Sequence, residues 1–214
     1  MGKLRTCLFV PNLITFFRIS LSLYASTVSS SNPWYFIAVV LLACVTDIVD
    51  GYFARKLNQC SKIGVFLDVV ADNILRTVLW VAAALARPKL ATVAAAIISL
   101  EWICFVSTQL STLTNKEQTW KSRKKLPWIV SKYFENEFRN LFGGPGVIAL
   151  FFCPLFIYME ATVDFGGFES YAQIAGALCC AYRVFDSVIE IYFILDYVNV
   201  LLELDEENVL KKKL

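Results

Sequence analysis

The chain reads as an all-α, polytopic membrane protein built as a six-transmembrane-helix bundle. Three observations predict this. Apolar residues fill 57% of the 214 positions, and the mean hydropathy of +0.59 is well above that of an ordinary soluble domain. Apolar runs of about 20 residues, the length that crosses a bilayer, recur about six times. Basic residues gather at alternate ends of those runs, as a membrane topology requires. Residues 1–214 are expected to form one membrane domain, and the net charge of +2 gives no sign of a nucleic-acid partner.

The runs cover residues 9–29, 34–54, 64–86, 90–112, 134–159 and 172–202. The first is too long for a signal peptide and lacks a small-residue cleavage site, so it reads as a retained helix. Within it, Arg18, preceded by Asn12, would either contact phosphate or snorkel to the interface. Between the second and third runs lies the polar interval Arg55, Lys56, Asn58, Gln59, Ser61 and Lys62, so the chain should turn near 58–61. The fourth follows Arg87-Pro88-Lys89. The fifth contains Gly143-Gly144-Pro145-Gly146, which should break or kink a helix. In the sixth, Arg183, Asp186 and Glu190 stand at offsets of three and four and form one polar stripe, facing the bundle or a dimer seam.

Charge sets the orientation. Lys3 and Arg5, the hairpin's Arg55, Lys56 and Lys62, the cluster Lys116, Lys121, Arg123, Lys124 and Lys125, and Lys211, Lys212 and Lys213 fall on one side of a six-span arrangement. Ser29 to Asn32, the short Arg87-Pro88-Lys89 and an acidic loop with Glu160, Asp164 and Glu169 fall on the other. Both termini and the hairpin tip should therefore face the cytosol. The ending Lys211-Lys212-Lys213-Leu214 resembles a dilysine retrieval signal of the endoplasmic reticulum, and serves equally as a cytosolic charge anchor. Met1-Gly2-Lys3-Leu4-Arg5-Thr6 fits the loose N-myristoylation pattern. The seven cysteines show neither disulfide nor metal-ligand spacing and read as small hydrophobes.

The chemistry is concentrated in Asp47, Asp50, Asp68 and Asp72. Ionisable residues inside apolar spans are costly and mark function. Asp47 and Asp50 are three apart and Asp68 and Asp72 four apart, so each pair shares a helix face. Asp47 and Asp72 lie equally far from the turn, and Asp50 and Asp68 nearly so, which brings all four to one depth. Carboxylates that close repel unless cations neutralise them. Oxygen ligands without His or Cys favour a hard ion, Mg2+ or Mn2+. Two such ions would hold a diphosphate and stabilise its leaving oxygen.

The run D-x2-D-G-x2-A-R-x8-G-x3-D-x3-D, met here at every fixed position from Asp47 to Asp72, resembles the signature of the CDP-alcohol phosphatidyltransferases. The resemblance implies an integral membrane enzyme that transfers a phosphatidyl group from CDP-diacylglycerol to an alcohol and releases CMP. It implies metal binding by Asp47, Asp50, Asp68 and Asp72, with Asp72 also the catalytic base. It implies a CDP-lipid site shaped by Gly51, Ala54, Arg55 and Gly64. A homodimer is implied by the resemblance alone.

Within the family the chain is most similar to the eukaryotic phosphatidylinositol synthase branch, through Phe9-Val10-Pro11-Asn12-Leu13-Ile14, Arg18, Ala54-Arg55-Lys56-Leu57-Asn58-Gln59 and the lysine-rich tail. That points to myo-inositol as acceptor. Two places depart from the branch. Asn73 stands where an arginine usually follows the last aspartate, and Phe105 and Val106 replace a His-Trp pair in a chain without histidine. Glycerol phosphate, serine or another polyol stays open as the acceptor, and so does a catalytically silent scaffold. Arg76, one turn beyond Asp72, together with Glu101 and Lys121, are the candidates for the acceptor pocket; Glu101 would otherwise pair with Arg183 or Arg76.

Overall fold

The computed structural model describes residues 6–114 and 126–211, with the side chains of all these but 112–114, 137 and 207–211. Among them the α-helices run α1 (Val10–Val28), α2 (Pro33–Lys56), α3 (Lys62–Ala86), α4 (Ala91–Thr114), α5 (Trp128–Phe134), α6 (Gly143–Thr162) and α7 (Glu169–Lys211). Short 3-10 turns precede α4 (Pro88–Leu90) and follow α5 (Glu135–Phe138). No strand occurs among the described residues.

Local chemistry sets the helix ends around the hairpin. Asn32 caps α2 by accepting from the Tyr35 N–H at 3.1 Å, and Pro33 occupies the first turn, where no donor is needed. At its far end Asn58 takes φ +52°, and the Gln59 N–H turns back to the Ala54 carbonyl at 2.9 Å. Ser61 then caps α3 through the Gly64 N–H at 3.0 Å. The turn falls where the polar interval placed it.

The chain divides into two compact units, Met1–Ala95 with Phe151–Gly176, and Ala96–Leu150 with Ala177–Leu214. In the first, α1 packs against both α2 and α3. Its core joins Ala25, Val40, Ala43 and Leu79 to Phe36 and Tyr158, whose rings lie 4.6 Å apart. Tyr158 donates to the Ser29 carbonyl at 2.6 Å, so its hydroxyl is satisfied inside that core. In the second unit Val130, Tyr133, Ile189 and Phe193 form the core, flanked by Phe134 and Phe138. Tyr133 donates to Asp186 at 2.9 Å; burial pushes its hydroxyl up, Asp186 adds to this, and it stays a donor. Arg183 bridges Glu101 at 2.9 Å and Glu190 at 3.0 Å.

Among the described residues four stretches are long and apolar enough to cross a membrane: Pro33–Lys56, Lys62–Ala86, Pro88–Ser111 and Gly143–Thr162. This supports a polytopic membrane protein, but the expected six spans are not matched one for one. α1 and α7 have the length and fall outside that set; α1 buries Asn12, Thr15, Arg18 and Ser22, and α7 buries Arg183 and Asp186. The fifth run is interrupted as expected: after α5 ends at Phe134 come a 3-10 turn and the non-helical residues 139–142, and Gly143 to Gly146 then begin α6. Asn140 caps that start by accepting from the Phe142 and Gly143 N–H groups, each at 2.8 Å. Pro145 then sits in the first turn, where its missing N–H costs nothing. A Cβ on Gly146 would stand 2.6 Å from an Asp186 carboxylate oxygen, so glycine there permits close packing.

Among the described residues the cysteines are free; Cys153 is buried and Cys60 exposed. Lys3, Arg5, Lys116, Lys121, Arg123, Lys124, Lys125, Lys212 and Lys213 lie outside the described residues.

Candidate metal and diphosphate site

α1 carries Asn12, Thr15, Arg18 and Ser22 at offsets of three, three and four, all buried. That spacing makes one buried polar stripe, while the helix's other serine and threonine hydroxyls, on Ser20, Ser26 and Thr27, bond carbonyls of their own helix. The stripe faces the α2–α3 hairpin. Asn12 donates to the Thr6 carbonyl at 2.7 Å, and its side-chain oxygen lies 2.9 Å from where a Cβ on Gly64 would stand. Only a residue without a side chain allows α1 this near at position 64. The Val10 N–H, at the exposed start of α1, is taken by the Gln59 side chain at 3.0 Å.

The four aspartates meet over this stripe. Oxygens of Asp47, Asp50 and Asp68 lie within 4.8 Å of one another. Arg18 donates from one terminal nitrogen to Asp47 and to Asp72, the latter at 3.1 Å. From the other it donates to the Asp68 carboxylate at 2.6 Å and to the Asp68 carbonyl at 3.1 Å. The Thr15 hydroxyl is 3.0 Å from both Asp50 and the Pro11 carbonyl, and its single hydrogen serves one at a time. One face of α1 thus orients the carboxylates of both hairpin arms.

Burial is graded across the cluster. The Arg18 side chain is 1% exposed, whereas those of Asp47, Asp68 and Asp72 are 45%, 44% and 30% exposed. Arg18 forms a floor and the acids form a mouth that a small charged ligand can reach. Arg18 in contact with three of the four carboxylates, and Arg76 near Asp72, still leave the cluster net negative, a large repulsion where the dielectric is low. An all-oxygen set with accessible carboxylates fits a hard divalent ion, and Asp47, Asp50 and Asp68 offer the compact face for it.

The remaining expected residues fall as follows. Gly51, Ala54 and Arg55 continue α2 beyond Asp50, and the Arg55 guanidinium lies over Gly51, 3.7 Å from its added Cβ. Gly64 meets Asn12 and Ser61 of this chain at close range. Arg76 is half-buried, donates to Asn73 and lies over the Phe151 ring, 5.6 Å from its centroid. Glu101 is buried and accepts from Arg183 at 2.9 Å, one of the pairings open to it from the sequence. Lys121 lies outside the described residues. Arg18 does not snorkel, and its hold on the acids, with that of Thr15, was missed. The available signal was the buried polar stripe on α1.

A family model described as CDP-alcohol phosphatidyltransferase matches residues 8–132. A CDP-diacylglycerol–inositol 3-phosphatidyltransferase of Schizosaccharomyces pombe is 28% identical over 94% of this chain and 91% of its own. A probable CDP-diacylglycerol–inositol 3-phosphatidyltransferase of Arabidopsis thaliana is 32% identical over 63% of this chain and 60% of its own. A CDP-diacylglycerol–glycerol-3-phosphate 3-phosphatidyltransferase of Aquifex aeolicus is 41% identical over 30% of this chain and 37% of its own. No solved structure matches. With the motif intact, its carboxylates gathered and the family model spanning more than half of the sequence, the chain belongs to the CDP-alcohol phosphatidyltransferase family.

Proposed function

We propose that the protein transfers the phosphatidyl group of CDP-diacylglycerol to myo-inositol, giving phosphatidylinositol and CMP. The observation that carries the chemistry is the gathering of Asp47, Asp50 and Asp68 within 4.8 Å, with Asp72 reached through Arg18. The choice of inositol is supported by similarity over nearly the whole chain to the fission-yeast inositol enzyme, against 30% of the chain for the glycerol-phosphate enzyme.

In this reading Asp47, Asp50, Asp68 and Asp72 hold Mg2+ or Mn2+, two ions when fully loaded. The bound cations supply charge neutralisation and alignment for a diphosphate. Arg55, exposed one turn beyond Gly51, meets the phosphates, and Gly51, Ala54 and Gly64 shape the nucleotide side of the pocket. Asp72 takes the proton from an inositol hydroxyl. That oxygen bonds to the lipid-side phosphorus as the bond from phosphorus to the CMP oxygen breaks, and CMP leaves. A positioned base is worth about 10²- to 10⁴-fold. Arg76, one turn from Asp72, supplies positive charge near the acceptor, with Glu101 and Lys121 as its further candidates. The basic groups flanking the spans support a site that faces the cytosol, and the lysine-rich tail fits residence in the endoplasmic reticulum. A homodimer belongs to the same reading through the family resemblance.

The test is purified protein with CDP-diacylglycerol, Mg2+ or Mn2+ and a panel of labelled alcohols. Labelled lipid from inositol is expected. Product from glycerol phosphate or serine alone would move the acceptor, and no CMP release with any alcohol would leave a silent scaffold.

A further inference from the structure

Arg18 and one divalent ion claim the same oxygens. The cluster has two faces. Asp47, Asp50 and Asp68 form the compact oxygen set, while Asp47, Asp68 and Asp72 converge on the two terminal nitrogens of Arg18. The guanidinium therefore lies in the position from which a cation would bridge Asp47, Asp68 and Asp72. It is buried beneath Asp47, Asp68 and Asp72, which are themselves part-open, with the buried Asp50 beside them, so ions arriving from the mouth meet Asp47 and Asp68 before they meet Arg18.

We propose that Arg18 is a built-in counter-cation that makes metal loading stepwise. One ion enters the Asp47–Asp50–Asp68 face without disturbing it. The second binds only as the Arg18 head yields the Asp72 side, and is correspondingly weaker. Two features support displacement over a permanent knot. Among the described residues the Arg18 Nε has no hydrogen-bond partner, and both terminal nitrogens are held through acidic residues, with the Asp68 carbonyl the one backbone contact there. An ion that takes those carboxylates also removes what holds the guanidinium. A compact divalent ion satisfies carboxylate oxygens at about 2.0–2.1 Å, closer than a charged guanidinium nitrogen, which stands about 2.7–2.9 Å away. The released charge then adds to the attraction for a diphosphate.

This inference rests on the metal-site reading above, and the test separates the two. Mn2+ is titrated into purified wild-type protein, followed by calorimetry and electron paramagnetic resonance, without substrate or turnover. Two Mn2+ sites differing at least about 100-fold in affinity are expected in the wild type. In Arg18→Met the weaker site should tighten about 10-fold or more, with spin coupling between paired ions at lower Mn2+. Arg18→Lys keeps the charge but cannot span three carboxylates, and should fall between the two. Equal sites in the wild type, or a second site unchanged or weakened in Arg18→Met, would overturn the stepwise proposal and leave the metal site standing. Absence of Mn2+ binding in wild type and Asp50→Asn alike would remove both. The wild-type titration alone decides the matter if the variants do not fold.

Discussion

Two arginines in this chain are each surrounded by carboxylates, and they differ in access. Arg18 holds Asp47, Asp68 and Asp72, whose side chains are substantially exposed. Arg183 holds Glu101 and Glu190, with Asp186 three residues away on the same helix receiving the Tyr133 hydroxyl, and this set is closed; Glu101 is 3% and Asp186 2% exposed. Both sets put charge inside a membrane protein, which is costly without pairing. The closed set uses its charges to bind its own helices together. The open set leaves acids unspent at a mouth, where a cation and a phosphate can use them. Intramembrane charge alone marks neither role; its exposure does.

The comparison can be broken at either centre. The largest effect is expected from Asp72→Asn, which keeps the shape but removes the proposed base: turnover should fall about 10²- to 10⁴-fold, with little change in melting temperature, measured as CMP release. A melting temperature that collapses with activity would make the open set structural too. Arg183→Met should do the opposite. It leaves buried carboxylates without their cation, and stability in detergent should drop by about 3–5 kcal/mol. Any activity lost should follow the folded fraction. A stable Arg183→Met protein with a raised KM for the acceptor would instead put Glu101 at the acceptor pocket.

Smaller changes sharpen the contrast. Tyr133→Phe removes one hydrogen bond to the buried Asp186 carboxylate and should cost about 1–3 kcal/mol by thermal unfolding. Arg87→Gln removes a partly exposed pair with Glu160, and the expected loss is about 0–1 kcal/mol. An Arg87 effect as large as that of Arg183 would show that exposure does not grade these pairs.

The hairpin was legible because helical spacing and a polar turn suffice to bring Asp47, Asp50, Asp68 and Asp72 together, and Asn58, Gln59 and Ser61 close that turn as their types suggest. Arg18 was harder to read, since a single arginine in an apolar run fits snorkelling as well as burial. Its partners lie 29 to 54 residues away, and only the stripe Asn12, Thr15, Arg18, Ser22 hinted that the face was buried. Gly143 to Gly146 marked the break in the fifth run, but not that they would open the next helix. Here they serve a helix start against Tyr133 and Asp186, a tertiary demand no local pattern carries. The six-span count failed to match for a related reason: α1 and α7 carry polar residues that packing, not composition, makes tolerable.

The central claim is that the open carboxylates grip a diphosphate through divalent ions. Electron–nuclear double resonance on Mn2+-loaded protein with CDP-diacylglycerol tests it directly. Strong phosphorus coupling to bound Mn2+ is expected in the wild type and should vanish in Asp50→Asn. Mn2+ bound at the cluster with no phosphorus coupling in the presence of saturating CDP-diacylglycerol would contradict the account.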